Sequence, residues 1–72
     1  MTDVQMEKKA FVEGSFSRML VEMSGGDIVS VEYQEEGYEE FVHVVYGNGY
    51  RKRACVTGDS LRGILEDVTD AL

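Results

Sequence analysis

The sequence predicts an α+β fold: one small domain of α-β-β-β-α order, with a three-stranded antiparallel sheet and both helices packed on one face. Three observations carry this. Apolar residues recur at helical spacing at both ends of the chain, alternate with period two through its middle, and are separated by glycine-containing polar turns. The 72 residues hold one core and no second, so residues 1–72 are taken as a single domain.

The first element is a helix. Thr2 and Gln5 have capping-box spacing, and Asp3 sits at the positive end of the helix dipole. Val12, Phe16, Met19, Leu20 and Met23 form the apolar stripe, and Ser24-Gly25-Gly26 supplies a left-handed C-cap. Gly14 weakens the middle by up to about 1 kcal/mol relative to Ala. An alternative therefore starts the helix at Ser15, leaving Lys8 to Glu13 irregular and residues 1–11 a less ordered segment.

Three strands follow. Ile28 to Tyr33 alternates, with Val29, Val31 and Tyr33 on one side, and Gln34-Glu35-Glu36-Gly37 is a polar turn. Tyr38 to Tyr46 is the longest strand, and Gly47-Asn48-Gly49 turns it into Tyr50 to Val56. A three-residue loop with Gly49 left-handed sets Tyr46 against Tyr50, Val44 against Lys52 and Val42 against Ala54. The core face then collects Val29, Val31, Val42, Val44, Tyr46, Tyr50, Ala54 and Val56. The opposite face collects Ser30, Glu32, Glu39, Phe41, His43, Val45, Arg51, Arg53 and Cys55, leaving Lys52 and Glu40 awkward on the core side. The last helix is capped by Thr57, Asp59 or Ser60 and carries Leu61, Ile64, Leu65, Val68 and Leu72 at helical spacing.

Composition removes several functions. There is no Pro and a single Cys, so neither a Pro-rich linker nor a disulfide framework is expected. The N-terminus is charged without an apolar core, which argues against a signal peptide, and no apolar run approaches membrane-spanning length. With the free thiol, this points to a soluble protein of the cytoplasm. One His and one Cys do not make an N/S metal site, and calcium-loop and phosphate-loop spacings are missing. No cofactor is expected. Gly58-Asp59-Ser60-Leu61 resembles the signature of the GDSL hydrolases, whose Ser is a nucleophile. The base and oxyanion donors that such a Ser requires have no counterpart here, so Ser60 reads as a helix cap and the chain as a non-enzyme.

Charge carries the remaining signal. Seven Lys and Arg oppose 14 Asp and Glu, a net charge of −7. Glu32, Glu35, Glu36, Glu39 and Glu40 lie in a stretch without a base, and Asp59, Glu66, Asp67 and Asp70 add a second patch on the last helix. Carboxylates spaced along a hairpin can imitate a row of phosphates and be drawn to the positive groove of a nucleic-acid-binding protein.

The leading expectation is thus a non-catalytic interaction protein binding a basic surface of a partner, such as a nucleic-acid enzyme. In size and charge the chain resembles phage inhibitors of such enzymes, anti-CRISPR proteins among them. A second reading is a nucleic-acid-binding module built from Phe41, His43, Val45, Arg51, Lys52 and Arg53 on the open face. The element order resembles that of the double-stranded-RNA-binding domain. The basic cluster which that family places at the start of its last helix is replaced here by Gly58-Asp59-Ser60-Leu61-Arg62-Gly63, and the net charge disfavours direct nucleic-acid binding. The third reading is a self-associating subunit, a homodimer through the open face or an unpaired edge strand.

Overall fold

The structure, a computed structural model, describes residues 2–72. The order is α-β-β-β-α, and the N-terminal helix runs unbroken from Asp3 to Met23 in three parts. These are α1 (Asp3–Phe11), a π-helical turn (Val12–Phe16) and α2 (Ser17–Met23). The Thr2–Gln5 capping box forms in both directions, at 3.2 and 2.8 Å. Lys8 to Glu13 is helical, so the alternative start at Ser15 is not the one adopted.

Gly14 does not break the helix; it sits within the π turn, where the Ser17 N–H reaches back to the Val12 carbonyl. The buried positions explain this turn. Lys8, Val12, Phe16 and Leu20 are spaced by four throughout. In an α-helix each step of four overshoots a full turn by about 40°. A π turn needs more than four residues to close, so the step from Val12 to Phe16 falls short and takes back the drift. All four side chains thus keep to one face. The same turn brings Phe11 and Phe16 side by side, stacked with ring centroids 5.5 Å apart. Met19 and Met23, expected in the stripe, are exposed, because that stripe assumed unbroken α periodicity.

Gly25 and Gly26 adopt φ of 67° and 100° and end the helix as expected. The sheet is β1 (Ile28–Glu36), β2 (Glu39–Tyr46) and β3 (Arg51–Cys55), antiparallel in the order β1-β2-β3. The first hairpin is tighter than the four-residue turn expected: Glu36 pairs with Glu39, leaving Gly37 and Tyr38 as the loop. Gly37 takes φ 63° at the first loop position, where short hairpin loops favour Gly. The second hairpin has the expected register, with Val42 against Ala54 and Val44 against Lys52, and Gly49 at φ 88°.

One assignment of faces is corrected. Val29 is 54% exposed while Ile28 is buried. The pairing shifts between Ile28 and Ser30, so Val29 is the extra residue of a β-bulge. Without it Ile28 and Val31, an odd number of residues apart, would face opposite ways. Tyr50 is also exposed, tilted against Tyr46 at the sheet's end.

The helix α3 (Leu61–Ala71) is capped by Ser60, whose hydroxyl accepts the Gly63 N–H at 3.1 Å. Ile64 and Val68 are fully buried, whereas Leu65 and Leu72 lie at the rim. The core joins Val12, Phe16 and Leu20 to Ile28, Val31, Tyr33, Val42, Val44 and Val56 of the sheet side and to Ile64 and Val68. Both helices therefore cover one sheet face and leave the other bare. No helix among the described residues is long and apolar enough to cross a membrane.

Candidate functional site

The structure divides the acidic residues singled out from the sequence. At the tip of the first hairpin Glu36 and Glu39 face each other directly across the strands, with Glu35 one position inward. Tyr38 between them is fully exposed. Like charges placed opposite one another destabilise a strand pair, and among the described residues no ion pair reaches Glu35, Glu36 or Glu39. Glu32 lies further along β1 and pairs with Arg51 at 3.3 Å. On α3, Glu66 is held by Arg62 at 3.0 Å. Asp70 lies toward the far end of the helix, just beyond which the Leu72 carbonyl oxygen accepts from Lys52 at 3.2 Å.

Glu40 leaves the surface array altogether. It is 7% exposed and lies on the core side, where Lys8, also 7% exposed, reaches it from α1. Lys8 Nζ donates to both carboxylate oxygens at 2.9 and 3.1 Å, the Tyr33 hydroxyl donates to Oε1, and the Gly58 N–H donates to Oε2 at 2.8 Å. Burial alone would raise the carboxyl's pKa. The donors from Tyr33, Gly58 and Lys8 outweigh it and hold Glu40 below the usual carboxylate range. Tyr33 is pushed well above the usual tyrosine range, first by burial and then by this hydrogen bond. The awkward placement of Glu40 in the pattern is thus resolved by an internal ion pair.

A second carboxyl group is perturbed nearby. Asp59, just before α3, lies against Gly63: a Cβ there would come within 3.2 Å of the Asp59 Cβ and Cγ. Asp67 lies on the same side, one turn beyond Gly63. The neighbouring Asp67 carboxyl, together with burial, raises the Asp59 pKa, with Lys8 opposing and Glu40 adding to the rise, and the Asp59 Oδ2 is buried without a hydrogen-bond partner.

The bare sheet face is roofed by its own long side chains. Its rungs run Ser30–Val45–Arg51, Glu32–His43–Arg53 and Gln34–Phe41–Cys55. Phe41, expected to face water, is only 6% exposed because the Arg53 guanidinium lies 4.3 Å from its ring centroid. The Arg51–Glu32 pair spans β2 between the rungs of Val45 and His43, and the His43 Nε2 is buried there without a partner. Cys55 is exposed and lies opposite Phe41, not opposite His43, so no thiol–imidazole pair forms. No group of three or more His, Cys, Asp or Glu among the described residues is arranged to hold a metal ion.

Lys8 and Tyr38 are the informative residues that sequence reasoning missed, and Asp59 was read as a cap candidate and surface acid, not as a group buried against Gly63. Lys8 was legible only as the fourth member of the spacing-by-four series, and the Asp59–Gly63–Asp67 series is likewise spaced by four. Comparison with known proteins finds no matching family model, no matching curated protein and no matching solved structure.

Proposed function

We propose that this protein is a non-catalytic binding module whose first hairpin tip, Glu35, Glu36, Tyr38 and Glu39, docks into a basic groove of a nucleic-acid-binding protein and competes there with nucleic acid. The observation that supports it is the Glu36–Glu39 pair: two carboxylates opposed across a tight loop, flanking a fully exposed Tyr38, with no internal base to offset their repulsion. Tyrosine is a frequent anchor at binding surfaces, and carboxylates steer it toward positive potential.

The open-face nucleic-acid reading is weaker. Phe41, 6% exposed beneath Arg53, has no free ring face for base stacking.

The test is capture from nuclease-treated lysate at low and high salt, with duplex DNA or RNA as competitor. The expected result is a nucleic-acid-binding protein retained at low salt and displaced by competitor. The triple substitution Glu35→Gln, Glu36→Gln, Glu39→Gln weakens retention by at least about tenfold, as does Tyr38→Ser. Equal retention by wild type and both variants overturns the proposal.

A further inference from the structure

In a three-stranded sheet both outer strands have a free edge, and this protein treats the two differently. The edge of β1 is closed by its own helix. The Ile28, Val31 and Tyr33 N–H groups are taken by Ser24 Oγ at 2.9 Å, Ser17 Oγ at 3.1 Å and Glu13 Oε2 at 3.1 Å. These three side chains form a polar stripe along the N-terminal helix, which covers an edge that would otherwise template another strand.

The edge of β3 has no such cover. The bonds from Tyr46 N–H to the Tyr50 carbonyl and from Val56 N–H to the Glu40 carbonyl fix which residues of β3 bond inward. Lys52 and Ala54 turn their backbone groups toward β2, so Arg51, Arg53 and Cys55 turn theirs outward. Among the described residues nothing bonds those outward groups. The strand is also the most basic part of an acidic chain: Arg51, Lys52 and Arg53 are three of its seven Lys and Arg.

We propose that the outer edge of β3 is a strand-addition site for an extended acidic peptide, which joins the sheet antiparallel as a fourth strand. Main-chain bonds to Arg51, Arg53 and Cys55 supply the pairing. Acidic residues at alternate positions of the peptide fall on the open face beside Arg51 and Arg53. The present partner of Arg51, Glu32, is half-exposed at 3.3 Å and exchanges at little cost. The same charges select against a second copy, since antiparallel pairing of two β3 strands centred on Arg53 sets Arg53 against Arg53. The site is separate from the hairpin tip and does not rest on that surface having a partner.

The experiment uses the full chain, labelled for amide NMR, with a short blocked peptide alternating Glu and Thr and a matched peptide alternating Lys and Thr. The expected result is that the Glu peptide shifts the Arg51, Arg53 and Cys55 amides and slows their hydrogen exchange by about tenfold at saturation, while the Lys peptide does neither. Arg51→Glu with Arg53→Glu reverses the preference. Arg51→Glu alone, which leaves the Phe41–Arg53 contact in place, weakens the Glu peptide several-fold and covers the case in which the double variant fails to fold. Glu36→Gln with Glu39→Gln leaves peptide binding unchanged. Equal effects from the two peptides, shifts confined to the hairpin tip, or slow exchange of these amides that grows with protein concentration alone would each overturn the proposal. The last of these would make a second copy the occupant.

Discussion

Replacing Lys8 with Met should destabilise the protein far more than loss of a surface lysine. Both partners of the Lys8–Glu40 pair are 7% exposed, and the pair is made at 2.9 Å. Breaking a buried ion pair from one side costs about 3–5 kcal/mol, because the remaining charge is left without its counterpart. Here Glu40 keeps the Tyr33 hydroxyl and the Gly58 N–H, which places the expected loss at the lower end, about 3 kcal/mol. A chain of 72 residues has a total stability of about 4–11 kcal/mol, so the loss is a large fraction of the whole. In urea, with a slope of about 1–1.5 kcal/mol/M for so small a domain, the midpoint falls by roughly 2–3 M.

The assay is urea unfolding followed by circular dichroism for wild type, Lys8→Met, Glu40→Gln and the double variant, whose loss should be smaller than the two single losses added. A pH series supplies the second readout. Glu40 has its folded pKa depressed below the ordinary carboxyl value of 4.5. Its contribution is therefore complete above that value and lost as pH falls through the folded pKa. Wild type should lose stability in acid more steeply than Glu40→Gln. A Lys8→Met variant within about 1 kcal/mol of wild type, or an unchanged acid slope in Glu40→Gln, would refute the reasoning.

Asp59 carries the opposite sign. Its pKa is raised above the ordinary carboxyl value of 3.8, so its contribution to stability is greatest below that value and declines as pH rises through the folded pKa. Asp59→Asn should stabilise the protein at pH 7 by on the order of 1 kcal/mol, read as a higher urea midpoint, with the gain shrinking in acid. Gly14→Ala meets no atom within 4 Å and should stabilise the helix by up to about 1 kcal/mol, seen as a higher melting temperature. Glu13→Ala and Ser17→Ala uncover the β1 edge. Faster amide exchange at Tyr33 and Val31 respectively is the expected outcome, together with increased self-association on sedimentation.

The fold was legible because its two strongest signals are local. The stripe around Ile64 and Val68 and the alternation through Val42 and Val44 each depend on residues within one element. The Gly47-Asn48-Gly49 register was legible too, since loop length and Gly49 fix it together. What escaped depends on contacts between elements or on departures from ideal period. Val29 alternates correctly on paper, yet a bulge turns it outward so that Ile28 can reach the core. Glu40 reads as a member of the acidic stretch that sits awkwardly on the core side, because its partners lie in three other segments: Lys8 far upstream, Tyr33 on the neighbouring strand and Gly58 after β3. Phe41 seemed stranded in water because a pattern of faces cannot show that Arg53 will lie across it. Of the candidate site, the acidic hairpin was visible as a cluster. Its reduction to Glu35, Glu36 and Glu39 around Tyr38 required knowing which acids are turned inward or already paired.

The π turn has a further consequence for chain length. It stores one residue more than a regular α-helix would use between Val12 and Phe16. Deleting Gly14 would change the intervals between Lys8, Val12, Phe16 and Leu20 from four, four and four to four, three and four. That series closes on one face of an ordinary α-helix without any π turn. Phe11 and Phe16 would then stand four apart, still neighbours along the helix. A shortened chain should therefore keep Lys8 turned toward Glu40, which makes this helix the place where the protein can lose a residue without changing what it buries. Aligning this helix with one that lacks the π turn needs a gap at Gly14 to keep its two halves in phase.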